Sequence, residues 1–383
     1  MQIIKSVILF LTWMILILPS LQSGFAFIGC KPLHGAYTFI APPVFSTESW
    51  MSGKYQDQYQ RYAEDSVGFK SGFVRLRNQL DWDIFSVPHP ATVIRGEHGN
   101  LFTREYITAS LGIDHLNPGM IDQRVRKLKI LQEYLWTKKK IFLLVIIAPD
   151  KVQFSPEDIP VRFTRGHNGI SGRDYLVKRC GESGIHFIDF NPWFRQMKET
   201  SRYPLFPATG THWSIYGAVL AADSAIRYLE KHLQRPMAHL NFDRIETTTK
   251  PKQFDDDINE TMNLIRDVNH PLFAYPVFHF TCDRSSNKPK ALFIGDSFYW
   301  AWYDFGIIGQ VFDKMEFWYY DREVYPEQFT RQKYTREVDL RQTIERQEII
   351  VLMQVGGGWG NPGAGFIDRV YAAYFDSSYK PGK

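Results

Sequence analysis

The chain opens on an uncharged run. Residues 6–30 carry no Asp, Glu, Lys or Arg, and Val7 to Leu18 is almost wholly apolar before Pro19. Behind Lys5, that apolar core suits the h-region of a signal peptide; extended through Phe27 and Ile28, it is long enough to cross a bilayer uncleaved. Residues 1–30 are read as a signal anchor or signal peptide. The anchor is preferred because no small-x-small cleavage site stands out, and the rest of the chain is then exported. Pro32, Pro42 and Pro43 break regular structure in the linker that follows. Tyr55–Asp65 and Val74–Phe85 read as polar-aromatic and amphipathic helices. Ile94–Phe102 reads as a β-hairpin with His98 at an exposed turn. Ile121–Thr137 reads as an amphipathic helix whose end, Lys138 to Lys140, suits the helix dipole.

From Ile141 onward, strand and helix patterns alternate. Ile141–Ala148 is a continuous apolar run, expected at the centre of a sheet covered on both faces. Gly169–Cys180 supplies a helix and Ile185–Phe190 the next strand. Ile215, Val219, Ala222, Ile226, Leu229 and Leu233 recur at helical spacing behind Ser214, a natural N-cap. Residues 235–290 have little periodicity and read as an insertion. Ala291–Ile294 is a short buried strand that runs through Gly295-Asp296-Ser297 into an aromatic helix, Phe298–Trp302. Met315–Tyr320 and Glu348–Val355 are further strands, with a helix at Val338–Arg346 between them. The pattern predicts an α/β three-layer sandwich with a mostly parallel sheet over 141–383. Residues 31–140 would form an N-terminal linker and subregion packed on it.

Composition narrows the chemistry. The 383 residues are 44% hydrophobic and 22% charged, ordinary for a globular chain with a core. A net charge of +4 is too small to argue for nucleic acid, and no phosphate loop, zinc finger or helix-turn-helix pattern occurs. The aromatic share, 15%, suits either sugar stacking or core filling. Cys30, Cys180 and Cys282 lack metal-ligand spacing. A Cys180–Cys282 disulfide is open to them in an oxidising compartment, and Cys30 is only faintly like a lipidation site. Asp255-Asp256-Asp257 lacks calcium-loop spacing and reads as an acid cluster at a helix N-terminus. No metal or cofactor is implied.

Two stretches carry candidate chemistry. Ser297 stands at the carboxyl end of a predicted strand, where α/β sheets bind ligands, and at the start of a helix, where free N–H groups favour developing negative charge. His212, in Thr209-Gly210-Thr211-His212-Trp213-Ser214, lies in a loop just before the capped helix and is placed to act as a general base. A serine hydroxyl needs such a base to become a nucleophile. Gly356 and Gly357, with Asn361, follow the last strand and read as an oxyanion or substrate-pocket loop, together with Asp296. Trp213, Tyr299 and Trp300 are candidates for sugar stacking.

These two motifs resemble the alginate O-acetyltransferase family, whose exported domain is similar to SGNH hydrolases. That family carries Asp-x-His-Trp before a helix and a later Gly-Asp-Ser-Phe. Here Gly210-Thr211-His212-Trp213 and Gly295-Asp296-Ser297-Phe298 correspond, in the same order. Ala148-Pro149-Asp150-Lys151 and the Ser66–Lys70 segment are weaker echoes. The resemblance implies an SGNH-like fold and a Ser297–His212 acyl-enzyme. It further implies a polysaccharide acceptor, and a partner membrane acyltransferase that supplies acetyl groups in the periplasm.

One position departs from the family. Its aspartate falls on Gly210, which has no side chain to orient the imidazole. Three readings follow: a Ser–His dyad, another acid such as Asp189 reaching in, or an inactive site. The functional expectation is an O-acetyltransferase acting on hydroxyls of an exported cell-surface polysaccharide. A carbohydrate acetylesterase using the same residues, and a non-catalytic carbohydrate-binding or scaffold protein, stand as alternatives.

Overall fold

The computed structural model describes residues 2–35, 40–113, 117–165, 169–268, 272–282, 288–313, 315–325, 331–356 and 362–379. Its strands are β1 (Val93–Arg95), β2 (Leu101–Thr103), β3 (Phe142–Ala148), β4 (Phe187–Asp189), β5 (His239–Thr248), β6 (Phe273–Thr281), β7 (Ala291–Gly295), β8 (Met315–Tyr319), β9 (Glu323–Tyr325), β10 (Lys333–Tyr334) and β11 (Ile349–Val355). The chain divides into two compact units. One is Met1–Val93 with Asn259–Val268, and the other is Ile94–Ile258 with Asn269–Lys383. Residues 94–140 thus group with the sheet and not with an N-terminal subregion.

The larger unit is built on a seven-stranded sheet in the order β10-β9-β8-β7-β11-β3-β4. β8, β7, β11, β3 and β4 run parallel, and β9 and β10 add an antiparallel margin. Every residue of β3 and β11 is buried, which is why both read as unbroken apolar runs. β3 lies one strand from the edge and not at the centre, because the three-residue β4 still covers its outer side. Side chains alternate between the two faces. Phe142, Leu144 and Ile146 pack toward the helix Ile215–Leu233, with Phe293 and Val351. Leu143, Val145 and Ile147 pack the other way, toward the helices Pro118–Tyr134, Gly172–Glu182 and Phe366–Phe375. Burying each such Leu, Ile or Val fully contributes about 1.5–3 kcal/mol before the entropy of ordering it. The result is three layers, helices on both sides of a mostly parallel sheet.

The insertion is more regular than its weak periodicity suggests. β5 and β6 form a long antiparallel ribbon, irregular near Phe242/Arg244, and all ten β5 positions are exposed or half-exposed. A ribbon open to water on one side and short of apolar positions gives no clean period of two. Between its strands the chain leaves the ribbon and makes a 3₁₀ turn at Gln253–Asp256, followed by the short helix Asp257–Met262. The Cys180–Cys282 disulfide is not formed. Cys180 is a free thiol buried against the sheet, and burial pushes it up to about 12.

The smaller unit contains the helices Gln2–Phe25, Thr47–Met51, Lys54–Asp65 and Lys70–Phe85. The stretch Ile3–Phe25 is long and apolar enough to cross a membrane, and none of its most apolar window is buried by the protein. Segment 259–268 lies along Lys70–Phe85. Arg75 donates to Leu264 O (3.0 Å), Asn78 donates to Met262 O (2.8 Å), and Gln79 Oε1 accepts from the amides of Ile265 and Arg266.

Candidate active site

Ser297 stands where β7 ends. Gly295 permits the turn: a Cβ there would lie 3.0 Å from Met353 O on the neighbouring β11. Asp296 then fixes the turn. Its Oδ1 accepts from Phe298 N (3.0 Å) and its Oδ2 from Val355 N (2.8 Å), so one carboxylate ties the serine turn to the end of β11. Burial pushes Asp296 up to about 6, with these amides and His212 holding it down. Both oxygens are engaged as acceptors, so Asp296 is scaffold and not an oxyanion donor. Ser297 begins a 3₁₀ turn, Ser297–Tyr299, followed by the short helix Trp300–Asp304. Among these buried neighbours Ser297 itself is partly exposed.

His212 is delivered by the loop before the helix Ile215–Leu233. Ser214 caps that helix by accepting from Gly217 N (3.0 Å), and the cap fixes the direction in which the loop enters. The imidazole is 9% exposed and is flanked by the rings of Phe254 and Phe298. His212 Nε2 is 2.7 Å from Ser297 Oγ. Its Nδ1 is 2.7 Å from Asp257 Oδ2. An ionised carboxylate can only accept, so the proton belongs on Nδ1 and Nε2 accepts from the serine hydroxyl.

The acid facing the imidazole is therefore Asp257, not Asp189. Asp189 ends β4, where Arg173 donates to its Oδ2, and its Oδ1 accepts from Asn191 N and Nδ2. Asp257 starts the helix Asp257–Met262, and its other oxygen accepts from Thr211 N (2.6 Å). The reading of residues 255–257 as an acid cluster at a helix start describes the backbone correctly but misses this contact. Gly210 is what lets the segment come so close. A Cβ at 210 would lie 2.7 Å from Pro207 Cγ and 2.9 Å from the carbonyl oxygens of both Phe254 and Asp255. Ile258 N also donates to Thr209 O, so the histidine loop and the acid segment lie side by side. The missing side chain at 210 and the arriving carboxylate at 257 are one arrangement.

Further groups tune the site. Lys151, buried beyond β3, donates from Nζ to Ala208 O (2.7 Å) and Gly210 O (2.9 Å), and so tethers the histidine loop. Burial lowers it to about 7, against the pull of Asp257 and Asp158. The phenol of Tyr320 interacts with Ser297, and burial together with Asp296 pushes it up to about 12. Asp150 is buried, takes hydrogen bonds from Ser110 Oγ and Val152 N, and is raised to about 6 by burial. Lys151 carries only the weak signal of the Ala148–Lys151 echo, and Tyr320 none beyond a Tyr at a strand end.

The other candidates fall elsewhere. Trp213 is 1% exposed, stacks on Trp302 and donates to Phe298 O; Tyr299 is fully buried against Phe293 and Phe317. Neither can offer a face to a sugar. Trp300 is half-buried against Tyr319 and Tyr325. Gly356 lies at the end of β11, where a Cβ would touch Arg173 and sit 3.6 Å from Asp150 Oδ2. Gly357 and Asn361 lie outside the described residues. Among the described residues, no group of three His, Cys, Asp or Glu side chains could hold a metal ion.

Residues 93–305, more than half of the chain, match the family described as "SGNH hydrolase-like domain, acetyltransferase AlgX". No curated protein matches in sequence. Among solved structures, the O-acetyltransferase domain of Pseudomonas putida AlgJ is similar at 14% identity and TM-score 0.47, over 73% of this chain and 99% of that one. Pseudomonas aeruginosa AlgX is similar at 13% identity and TM-score 0.44, over 72% of this chain and 66% of that one. Bacillus cereus PatB1 is similar at 11% identity and TM-score 0.42, over 65% of this chain and 93% of that one. On the match that spans both the histidine loop and the serine turn, the chain belongs to the family of SGNH hydrolase-like acetyltransferase domains.

Proposed function

We propose that this acetyltransferase moves acetyl groups onto hydroxyls of an exported cell-surface polysaccharide through an acetyl-Ser297 intermediate. The observation that carries the proposal is the unbroken run of hydrogen bonds from Asp257 through His212 to Ser297. Ser297 Oγ attacks the acetyl carbonyl of the donor and gives its proton to His212 Nε2. Asp257 stabilises the imidazolium and holds the ring in register. The Ser297 amide and the Tyr320 phenol are the proposed donors to the oxyanion. Collapse expels the donor's leaving group, which takes the proton from His212. In the second half, the sugar hydroxyl passes its proton to His212 and attacks the acetyl-serine, and Ser297 leaves with that proton. The acceptor class rests on the likeness of the two motifs to alginate O-acetyltransferases. In the same reading, a partner membrane acyltransferase supplies the acetyl group. The helix Gln2–Phe25 is the retained inner-membrane anchor, and the catalytic unit works in the periplasm. Gly210 no longer argues for a non-catalytic scaffold, since Asp257 occupies the acid's place.

The test combines a chromogenic acetyl ester with bare glycan. The expected result is glycan-dependent acetyl transfer together with an acetyl adduct on Ser297, trapped by mass spectrometry. Both should vanish in Ser297→Ala. Ester hydrolysis that ignores added glycan and leaves the glycan unmodified would assign the same residues to an esterase.

A further inference from the structure

The helix Lys70–Phe85 buries the wrong residues for water. Its buried members are Asn78 and Gln79, which with Arg75 hold segment 259–268. Val74 and Trp82 are half-buried, but four other apolar members point away. Phe73 is 49% exposed, Leu76 47%, Leu80 49% and Ile84 64%. Spacings of three, four and four put these four on one stripe, opposite Arg75, Asn78 and Gln79. Scattered exposed leucines are normal, but a continuous bare stripe on a helix whose polar face is buried marks a non-aqueous neighbour.

The same unit indicates which neighbour. Lys70–Phe85 starts at the end of the apolar helix Gln2–Phe25. Gly68 approaches that helix so closely that a Cβ would collide with Pro19 O, Gln22 Cβ and Ser23 N. Ser23 Oγ donates to Ser66 O, and the rings of Phe27 and Phe69 meet edge to face at 6.0 Å. A helix of 24 residues is about 36 Å long, enough to cross a hydrocarbon layer of about 30 Å, so its end lies at the headgroups. The striped helix is therefore fastened at headgroup level. A chain of touching rings, Phe45, Trp50, Tyr55 and Tyr59, precedes it, with Phe45, Trp50 and Tyr59 exposed. Aromatic side chains of this kind concentrate at membrane–water interfaces. A protein groove would account for the stripe alone; the bilayer accounts for the stripe, the fastening and the aromatic chain together.

We infer that the Phe73–Leu76–Leu80–Ile84 face is a second membrane contact, lying in the headgroup region of the bilayer that Gln2–Phe25 crosses. This rests on the reading of Gln2–Phe25 as a retained anchor. The apolar face sinks about 5–10 Å into the headgroup and acyl boundary, as interfacial helices do.

The test uses the full chain in phosphatidylcholine–phosphatidylglycerol vesicles, with nitroxide labels at Leu80→Cys or Ile84→Cys and a reference label at Met14→Cys. Cys30 and Cys282 are replaced by serine, and the buried Cys180 is left in place. Accessibility is read against oxygen, which enters lipid, and a nickel chelate, which stays in water. Leu80 and Ile84 should shift toward the Met14 values: open to oxygen and shielded from nickel. The inference is overturned if nickel reaches both positions as freely as in water while Met14 stays immersed. It is also overturned if both positions are shielded from oxygen and nickel alike, which would assign the stripe to a protein partner or a second copy. If Met14 itself is open to nickel, the anchor reading fails and takes this inference with it. Hydrolysis of a soluble acetyl ester by the labelled samples checks that they are folded.

Discussion

Asp189 and Asp257 pose the same question to a reader of the chain and receive opposite answers from the fold. Asp189 sits where an α/β enzyme would keep an acid, at the carboxyl end of a parallel strand. There it is consumed by Arg173 and by the turn at Asn191. Asp257 sits on an irregular excursion from a ribbon, the last of three acids in a row, and faces His212. The difference teaches that a carboxylate's role follows from what it is left free to bind. A buried Arg partner converts an acid into structure, whereas a neutral imidazole within hydrogen-bond reach leaves its charge available to the reaction.

The sharpest way to break this comparison is Asp257→Asn. The amide oxygen would keep the bond from Thr211 N, which turns the NH₂ group toward His212 Nδ1. That selects the tautomer with its proton on Nε2, which cannot accept a proton from Ser297. Loss of about 10⁴-fold in kcat is expected, with folding retained, measured as acetyl transfer per correctly folded molecule. A loss below tenfold would mean that the histidine works without this acid. Asp189→Asn should do the reverse. It takes from the Arg173 charge one of its carboxylates, leaving Asp174 and the buried Asp150, and should lower stability by about 3 kcal/mol, seen in urea unfolding, while kcat per folded molecule stays within a few-fold. A collapse of kcat at unchanged stability would restore Asp189 as the acid. Gly210→Ala tests the contact that brings the acid segment in. The added methyl would press on two main-chain carbonyls, at a cost of about 2 kcal/mol in stability, together with a fall in kcat as Asp257 is pushed away. An unchanged melting curve and rate would show that the close approach is dispensable.

The layered sheet was legible because burial on both faces leaves an unmistakable trace: β3, β7 and β11 appear as apolar runs, and the helix after Ser214 keeps its period for 19 residues. The serine and histidine were legible because each sits at a boundary between patterns. The order of strands was not, since periodicity tells that β3 is covered but not by what. The aromatic candidates misled for a related reason. Trp213 and Tyr299 lie within two residues of the reacting groups along the chain, yet the loop before Ile215 and the 3₁₀ turn at Ser297–Tyr299 direct them into the core. Asp257 was hidden because its contact joins segments 45 residues apart, and no local pattern registers a tertiary hydrogen bond. The one trace of it was indirect, in the bare backbone at Gly210.

That bare backbone also constrains how this protein can change. An aspartate placed at position 210 would have to displace a neighbouring main chain before it could serve the histidine, and in doing so would push away the acid now facing it. Glycine at 210 and the acid at 257 therefore act as a linked pair, since changing either one alone costs the contact between the histidine loop and the acid segment.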